Sequence, residues 1–312
     1  MGLKGTRWLT GAFAGSILFG AFSQPVLAGT NLTSAKVYDF DSQVQLEKVK
    51  KKPRLAKIGD VMVPMDILKT GSSAWAKLLF NEGTLFRVHA NAKFFFVPNT
   101  RSFQLKHGLV LSMIQPGQGI TTVITPTAKI VAFGTALTVR HDSTQNTTIV
   151  SALTEKLGRP IFVSNDDGAG QIRLKAGEQV EIKDNVVGPV KSFSLPAFYQ
   201  ACPMSAVLDP KQEQLVAQEP TEVQSPLFVI REETAKAVAE QSTIADASEL
   251  TKLCAPVPEL PEEEKTRPNS GPRIGVGGCI PIPFISSCGP QRPGGLPNPG
   301  QGRQPAGVQG IP

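Results

Sequence analysis

The residues with the clearest chemical potential are six cations that fall within ten positions early in the chain. They are Lys48, Lys50, Lys51, Lys52, Arg54 and Lys57. Such a cluster attracts anionic partners at long range, and acidic polysaccharide, lipid phosphate or an acidic protein face would each supply the charge. Two alternatives stay open. The cations form a solvated arm that enters the first strand, or they contact the acidic stretch 259–264, an attraction that salt screens beyond about 10 Å.

The chain offers few residues for catalysis or for metal binding. Its three histidines, His89, His107 and His141, are 18 and 34 positions apart. No Gly-x-Ser-x-Gly nucleophile elbow is present, and the glycines of 271–278 lie in a Pro/Gly-rich stretch and do not precede a helix. We therefore predict that the protein is not an enzyme and that it has no catalytic residue, no bound metal and no cofactor.

The first 28 residues have the three parts of a secretory signal peptide. Lys4 and Arg7 precede an apolar run over residues 8–22, and Val26-Leu27-Ala28 with Gly29 provides a cleavage site. We predict cleavage after Ala28, which exports the protein to the periplasm or cell envelope and leaves no stable membrane span. The alternative is an uncleaved anchor, but the run is shorter than the roughly 20 residues that span a bilayer. Because of export we expect no nucleic-acid partner, despite the net charge of +6.

All four cysteines lie in the C-terminal part of the chain, at Cys202, Cys254, Cys279 and Cys288. An even number in an exported chain favours disulfides, and four cysteines permit three connectivities. We predict that Cys202 pairs with Cys254 and that Cys279 pairs with Cys288. A zinc site is the alternative, but the sequence has no Cys-x-x-Cys pair and no histidine nearby.

Residues 36–183 place apolar side chains at every second position, which is typical of strands with one face in a core. In the hairpin predicted over 76–90, Arg87 and His89 fall on the face away from that core. Turn residues interrupt the pattern at regular intervals, and Gly108 is one of them, between strands predicted over 103–105 and 109–113. Many short strands at this spacing predict an all-β fold, an antiparallel β-sandwich or a rolled sheet.

Three consecutive phenylalanines, Phe94, Phe95 and Phe96, follow that hairpin. Successive side chains of a strand point to opposite faces, so the three rings cannot share one core. Either Phe95 is exposed as an aromatic partner site, or a second layer of the protein covers it.

Composition divides the chain into five predicted segments. Residues 36–183 contain about 20 basic and 12 acidic residues, whereas residues 184–312 contain about 10 basic and 14 acidic ones. Helix formers are concentrated over 226–253, and proline and glycine dominate beyond 255. We predict a signal peptide (1–28), a basic N-terminal arm (29–57), a β domain (58–183), a helical extension with one or two short helices (184–255) and a disordered Pro/Gly-rich tail (256–312).

An ordered series of short motifs runs through the β region. They are Gly59-Asp60, Leu68-Lys69-Thr70-Gly71, Leu78-Leu79-Phe80, Gly83-Thr84-Leu85-Phe86-Arg87-Val88, Phe103-Gln104-Leu105, Thr125-Pro126-Thr127-Ala128, Gly134-Thr135-Ala136-Leu137-Thr138-Val139 and Leu174-Lys175-Ala176-Gly177-Glu178-Gln179. In order and spacing, the series resembles the FecR domain, the periplasmic domain of regulators in iron-dicitrate-type signalling, over about residues 37–183.

The resemblance implies a function as well as a fold. Family regulators place an anti-sigma segment ahead of a membrane helix, whereas about seven residues precede the apolar run here, so the likeness is to a stand-alone exported FecR-domain protein. We expect a non-enzymatic binding module of the bacterial envelope that takes an envelope protein or an anionic glycan, with a role in signalling. The alternative is a structural cell-envelope component that binds peptidoglycan or acidic polysaccharide.

Overall fold

The computed structural model describes residues 29–155, 159–241 and 250–259, which form two β-sheets and a layer of helices. The strands are β1 (Ala35–Asp41), β2 (Val44–Glu47), β3 (Arg54–Leu55), β4 (Val61–Met62), β5 (Ile67–Thr70), β6 (Trp75–Phe80), β7 (Leu85–Val88), β8 (Lys93–Phe96), β9 (Ser102–Met113), β10 (Thr121–Ile124), β11 (Ala128–Ala132), β12 (Ala136–Asp142), β13 (Thr147–Ala152), β14 (Ile161–Asn165), β15 (Ile172–Leu174), β16 (Glu178–Lys183), β17 (Val186–Val187) and β18 (Lys191–Ser192). The helices are α1 (Leu195–Ala201), α2 (Glu213–Ala217), α3 (Thr221–Glu240) and α4 (Leu250–Cys254), with a 3₁₀ helix at Pro203–Leu208.

The two sheets share the long strand β9. Sheet I has the neighbour order β4, β1, β6, β7, β9, β12, β13, β16, with β17 and β18 beyond β16, and all of its pairs are antiparallel. Sheet II has the order β3, β2, β5, β8, β9, β10, β11, β14, β15, and β9–β10 is its parallel pair. The predicted all-β sandwich or rolled sheet is confirmed.

Gly108 is the position at which β9 passes from one sheet to the other. His107 still pairs with Lys93 of sheet II, whereas Gly108 pairs with His141 of sheet I. The φ of Gly108 is +103°, and a Cβ at this position would collide with the backbone and side chain of Ala92. The prediction of a turn between two strands at Gly108 is therefore wrong. The left-handed backbone bends a continuous strand without ending it.

The main hydrophobic core lies between the sheets, where the alternating apolar residues of both meet. Its centre is a group of buried rings. The centroids of Phe86 and Phe103 are 4.3 Å apart, and Phe80 packs edge-on against Phe86 at 5.4 Å. Phe94 and Phe96 enter the same core, and Phe95 on the opposite face is also fully buried. Of the two alternatives for Phe95, the exposed aromatic site is therefore wrong.

The helices cover the outer face of sheet I and form a second core with it. Leu85 and Leu111 of the sheet pack in this core with Phe198, Leu227 and Ile230 of the helical layer. The described residues include four α-helices, and α3 alone has 20 residues. The prediction of one or two short helices therefore underestimated both the number and the length of the helices. The spacing of apolar residues along the sequence does not reveal the area of the sheet I face that the helices must bury.

Arg87 is buried because of this layer. The sequence correctly placed Arg87 on the face of β7 away from the main core, but only 8% of the residue is exposed. Its guanidinium donates to the carbonyl oxygen of Met204 at 2.8 Å and to Glu219 at 2.6 Å. A position on the face away from the main core therefore does not leave Arg87 exposed.

The sandwich begins before residue 58, where the β domain was predicted to start. Strands β1 and β2 lie within the predicted arm 29–57, and they place Val37, Val44 and Leu46 in the main core. After residue 183, β17 and β18 still pair with β16. Strands β1 and β2 join the sheets because their alternating apolar residues need the core, whatever the local charge.

Two predicted segments lie almost wholly outside the described residues. They are the signal peptide, 1–28, and the tail, 256–312, of which residues 256–259 are described. In that short stretch Val257 is buried. Within the described ranges, no helix is both long enough and apolar enough to cross a membrane.

Candidate functional site

Residues 48–63, here called the basic segment, contain all six clustered cations and lie at one edge of the sandwich. The segment comprises the turn after β2, the short strands β3 and β4, and the loop between them. Strand β3 pairs with β2 at the edge of sheet II, and β4 pairs with β1 at the edge of sheet I. The basic segment therefore closes the same side of both sheets.

A buried carboxylate ties the two ends of the basic segment together. Asp66 is 1% exposed, and its two oxygens accept hydrogen bonds from the backbone N–H groups of Val49 at 3.1 Å and Val63 at 3.0 Å. Lys48 adds a third link, since its ammonium group donates to the carbonyl oxygen of Val61 at 3.0 Å. Asp66, which directly precedes β5, therefore fixes the turn after β2 relative to the sandwich.

A second carboxylate orders the middle of the basic segment. The two terminal nitrogens of Arg54 donate to the two oxygens of Asp60 at 2.7 and 2.8 Å, and the backbone N–H of Lys57 donates to the same carboxylate. The hydrogen bond from Arg54 holds the pKa of Asp60 below its usual value. Asp60 is therefore ionised at neutral pH and neutralises Arg54.

Four of the six predicted cations remain available to a partner. Lys50, Lys51, Lys52 and Lys57 are exposed, and within the described part of the chain their ammonium groups form no ion pair or hydrogen bond. Lys48 and Arg54 are engaged inside the segment, as described above. The structure therefore divides the predicted cluster into two structural cations and four free ones.

The basic segment also exposes aliphatic side chains, which the charge-based analysis did not consider. Leu55 is 62% exposed and Ile58 68%, and Val49, Val61 and Val63 are each more than two-fifths exposed. Their neighbours Ala56 and Met62 point inward and are buried. The sequence contains this signal, because apolar residues at 49, 55, 58, 61 and 63 lie in the same short stretch as the cations.

The histidines divide into a pair and a separate member. His141 is opposite Gly108 and so lies beside the strand position of His107, whereas His89 follows β7. The Nδ1 of His141 is 2.9 Å from the hydroxyl of Thr148, and burial, followed by the charge of His107, lowers the pKa of His141 to about 4. No group of three metal-binding side chains occurs among the described residues.

The cysteines support one structural cross-link. The Sγ atoms of Cys202 and Cys254 are 2.09 Å apart, so a disulfide joins the end of α1 to α4 as predicted. Cys279 and Cys288 lie outside the described residues, and their pairing stays a prediction. The first cross-link fastens the helical layer at its two ends in the chain.

Comparison with known protein families finds a match in the middle of the sandwich. Residues 66–154, from just before β5 to just after β13, match the family model described as FecR protein. The predicted resemblance is confirmed over this range, which is narrower than 37–183. No curated protein matches the chain.

Two solved structures are similar to part of the chain. Both are crystal structures of a candidate anti-sigma factor from Parabacteroides distasonis. The first is 14% identical and covers 43% of this chain and 64% of that chain, with a TM-score of 0.36. The second is 16% identical and covers 46% of this chain and 70% of that chain, also with a TM-score of 0.36.

Proposed function

We propose that this chain, whose residues 66–154 match the FecR family model, is a non-enzymatic exported protein of the bacterial envelope. Its sandwich serves as a binding module that takes an envelope protein or an anionic glycan and has a role in signalling. One observation supports the binding role above the others. Lys50, Lys51, Lys52 and Lys57 carry free charges on a segment that two carboxylates already order.

The ordering of the segment matters for affinity. A flexible lysine-rich arm loses conformational entropy when it binds, and that loss offsets part of the attraction. Here Asp66 and Asp60 hold the backbone in place before any partner arrives. The four charges therefore act as a preformed cationic surface whose attraction depends on ionic strength.

Export is the first part of the proposal to test. The chain is expressed in a bacterial host, and the N-terminus of the periplasmic or envelope-associated form is determined by mass spectrometry. We expect the mature chain to begin at Gly29. Protein that stays in the cytoplasm with residues 1–28 intact would contradict export.

Binding is tested by capturing partners of residues 29–312 from an envelope fraction at low and high salt. Captured proteins and glycans are identified, purified and bound again to the wild type and to K50Q/K51Q/K52Q. A matched control, K175Q/K183Q/K211Q, removes three exposed lysines elsewhere on the surface. We expect the first triple variant to weaken binding and the control to retain it. Equal loss in both would mean that only net charge matters.

The same experiment separates the proposed role from the structural alternative. Retention of a specific protein at high salt supports a signalling module, whereas salt-sensitive retention of peptidoglycan or acidic polysaccharide supports a structural envelope component. The proposal assigns no catalysis. Turnover of a glycosidase or esterase substrate that one point variant abolishes would contradict it.

A further inference from the structure

We propose that the basic segment docks the protein onto an anionic phospholipid surface, an inference that rests on the proposed envelope function and names a partner for the same site. Two sets of side chains carry it. The free ammonium groups belong to Lys50, Lys51, Lys52 and Lys57, and the exposed aliphatic side chains belong to Val49, Leu55, Ile58, Val61 and Val63. Both sets lie on residues 48–63.

The exposed aliphatic side chains favour a lipid bilayer over an acidic glycan as the anionic partner. A single exposed aliphatic side chain is ordinary, but five within sixteen residues are an unusual concentration of apolar side chains in contact with water. An acidic glycan offers charge and hydroxyl groups, and it leaves this apolar surface in contact with water. A bilayer with anionic headgroups offers negative charge at its surface and hydrocarbon just beneath, which matches both sets of side chains.

The backbone geometry keeps the two sets together. Asp66 joins Val49 to Val63 through hydrogen bonds of 3.1 and 3.0 Å, and Lys48 reaches the carbonyl oxygen of Val61. Val49 and Val63 are therefore close in space, although fourteen positions separate them in the chain. The loop that carries Lys57 and Ile58 is held by Asp60. The mixed surface is thus fixed by the fold and does not depend on an arm becoming ordered at the membrane.

The position of the basic segment allows docking without disturbing the rest of the domain. Strands β3 and β4 are the edges of sheets II and I, so a membrane at this side would approach the edge of the sandwich, beside the first turn of α3, where Glu222 bonds to Lys36. The segment also ends just before residue 66, where the match to the FecR family model begins. Docking through residues 48–63 therefore does not use the residues that match the family model.

The test is flotation of residues 29–312 with vesicles of phosphatidylcholine, with and without about 30% phosphatidylglycerol. Two variants separate charge from apolar contact. K50Q/K51Q/K52Q removes three cations, and L55S/I58S removes two exposed aliphatic side chains while keeping the charge. V186S/V190S, which changes exposed valines outside the segment, and K175Q/K183Q/K211Q are the matched controls. Circular dichroism establishes that each variant is folded.

We expect the wild type to bind vesicles that contain phosphatidylglycerol and to bind phosphatidylcholine alone weakly. Each cation near an anionic surface contributes roughly fivefold to partitioning, so K50Q/K51Q/K52Q should lose roughly 100-fold. L55S/I58S should lose at least about tenfold, because the aliphatic side chains no longer enter the interface. Both control variants should bind like the wild type.

A parallel measurement with dextran sulfate, which is anionic but has no hydrocarbon, completes the design. L55S/I58S should bind dextran sulfate as the wild type does. If L55S/I58S also binds anionic vesicles normally, or if the wild type does not prefer them, the lipid proposal is wrong and the segment is a simple polyanion site. Failure to capture an envelope protein or glycan would contradict the proposed function but would not change the vesicle result, so the two failures are distinguishable.

Discussion

The guanidinium of Arg87 on β7 lies 2.6 Å from the carboxylate of Glu219, in the short link between α2 and α3, and this contact joins sheet I to the helical layer. Lys77 of β6 reaches the same carboxylate oxygen at 2.9 Å. Both Arg87 and Glu219 are less than a tenth exposed. A buried charge cluster therefore anchors the helices over the second core.

We expect E219Q to lower the free energy of unfolding by about 3–5 kcal/mol, because it leaves the buried Arg87 without its counter-charge. Urea denaturation measures the loss. The matched control is E222Q, since Glu222 also joins the helical layer to sheet I, through Lys36, but that pair is over two-fifths exposed. E222Q should cost less than about 1 kcal/mol. Similar losses in both variants would show that the burial of Arg87 contributes nothing.

Phe86 is at the centre of the ring cluster between the sheets and has no exposed surface. F86A should cost about 3–5 kcal/mol of stability, because the cavity loses contacts with rings from both sheets. F228A is the control, since Phe228 on α3 is 60% exposed, and it should change stability by about 0.5 kcal/mol or less. Thermal or urea unfolding measures both. A loss below about 1 kcal/mol for F86A would contradict the assigned core.

Gly108 allows a comparison between steric collision and backbone strain. Its φ is +103° and a Cβ there would collide with Ala92, whereas Gly59 has a φ of +86° and open space around the Cβ position. G59A should therefore cost about 1 kcal/mol from strain alone. G108A should cost several times as much or prevent folding, because it disrupts the strand that both sheets share. The soluble yield and unfolding curves of the two variants test this, and equal stability would contradict the crossover at Gly108.

His141 should make the protein sensitive to mild acid. Burial lowers its pKa from 6.5 to about 4 in the folded state, with further effects from His107, Asp142 and Lys106. The folded state thus binds this proton more weakly than the unfolded state does. Stability is fully present above pH 6.5 and should fall by up to about 3 kcal/mol as the pH drops to 4.

Urea unfolding at several pH values between 7 and 4 measures this dependence. H141Q should remove most of the slope. H89Q should remove less, because His89 is only partly buried, although burial lowers its pKa as well. If H141Q leaves the slope of the wild type unchanged, His141 is not the group that titrates.

The disulfide between Cys202 and Cys254 closes a loop of 52 positions. Loop-closure entropy predicts that C202S/C254S loses about 4 kcal/mol of stability, because the unfolded chain is no longer constrained. Unfolding with and without reductant provides the measurement, and C279S/C288S is the control. Non-reducing peptide mapping checks the predicted pair of Cys279 and Cys288. A Cys202 peptide linked to a cysteine other than Cys254 would contradict the structure.

Much of the fold could be predicted from the sequence because a strand with one buried face has apolar residues at every second position. Over β6 the alternation of Ala76, Leu78 and Phe80 with half-exposed neighbours requires only that one face be buried, and each of the three lies in the core as predicted. The FecR resemblance depended on turn glycines and apolar positions in a linear order. The pairing of Cys202 with Cys254 was also predicted, since an exported chain with four cysteines offers few connectivities.

The tertiary structure decided what depends on residues that are far apart in the chain. Arg87 becomes buried only because Glu219, 132 positions later, brings the helical layer over it. Gly108 continues a strand instead of turning it because the two sheets need one strand in common. Val49 and Val63, at opposite ends of the basic segment, lie close together because the buried carboxylate of Asp66 accepts hydrogen bonds from both of their backbone N–H groups. Local periodicity records which side of a strand is apolar, whereas the partner of each face depends on packing across the whole chain.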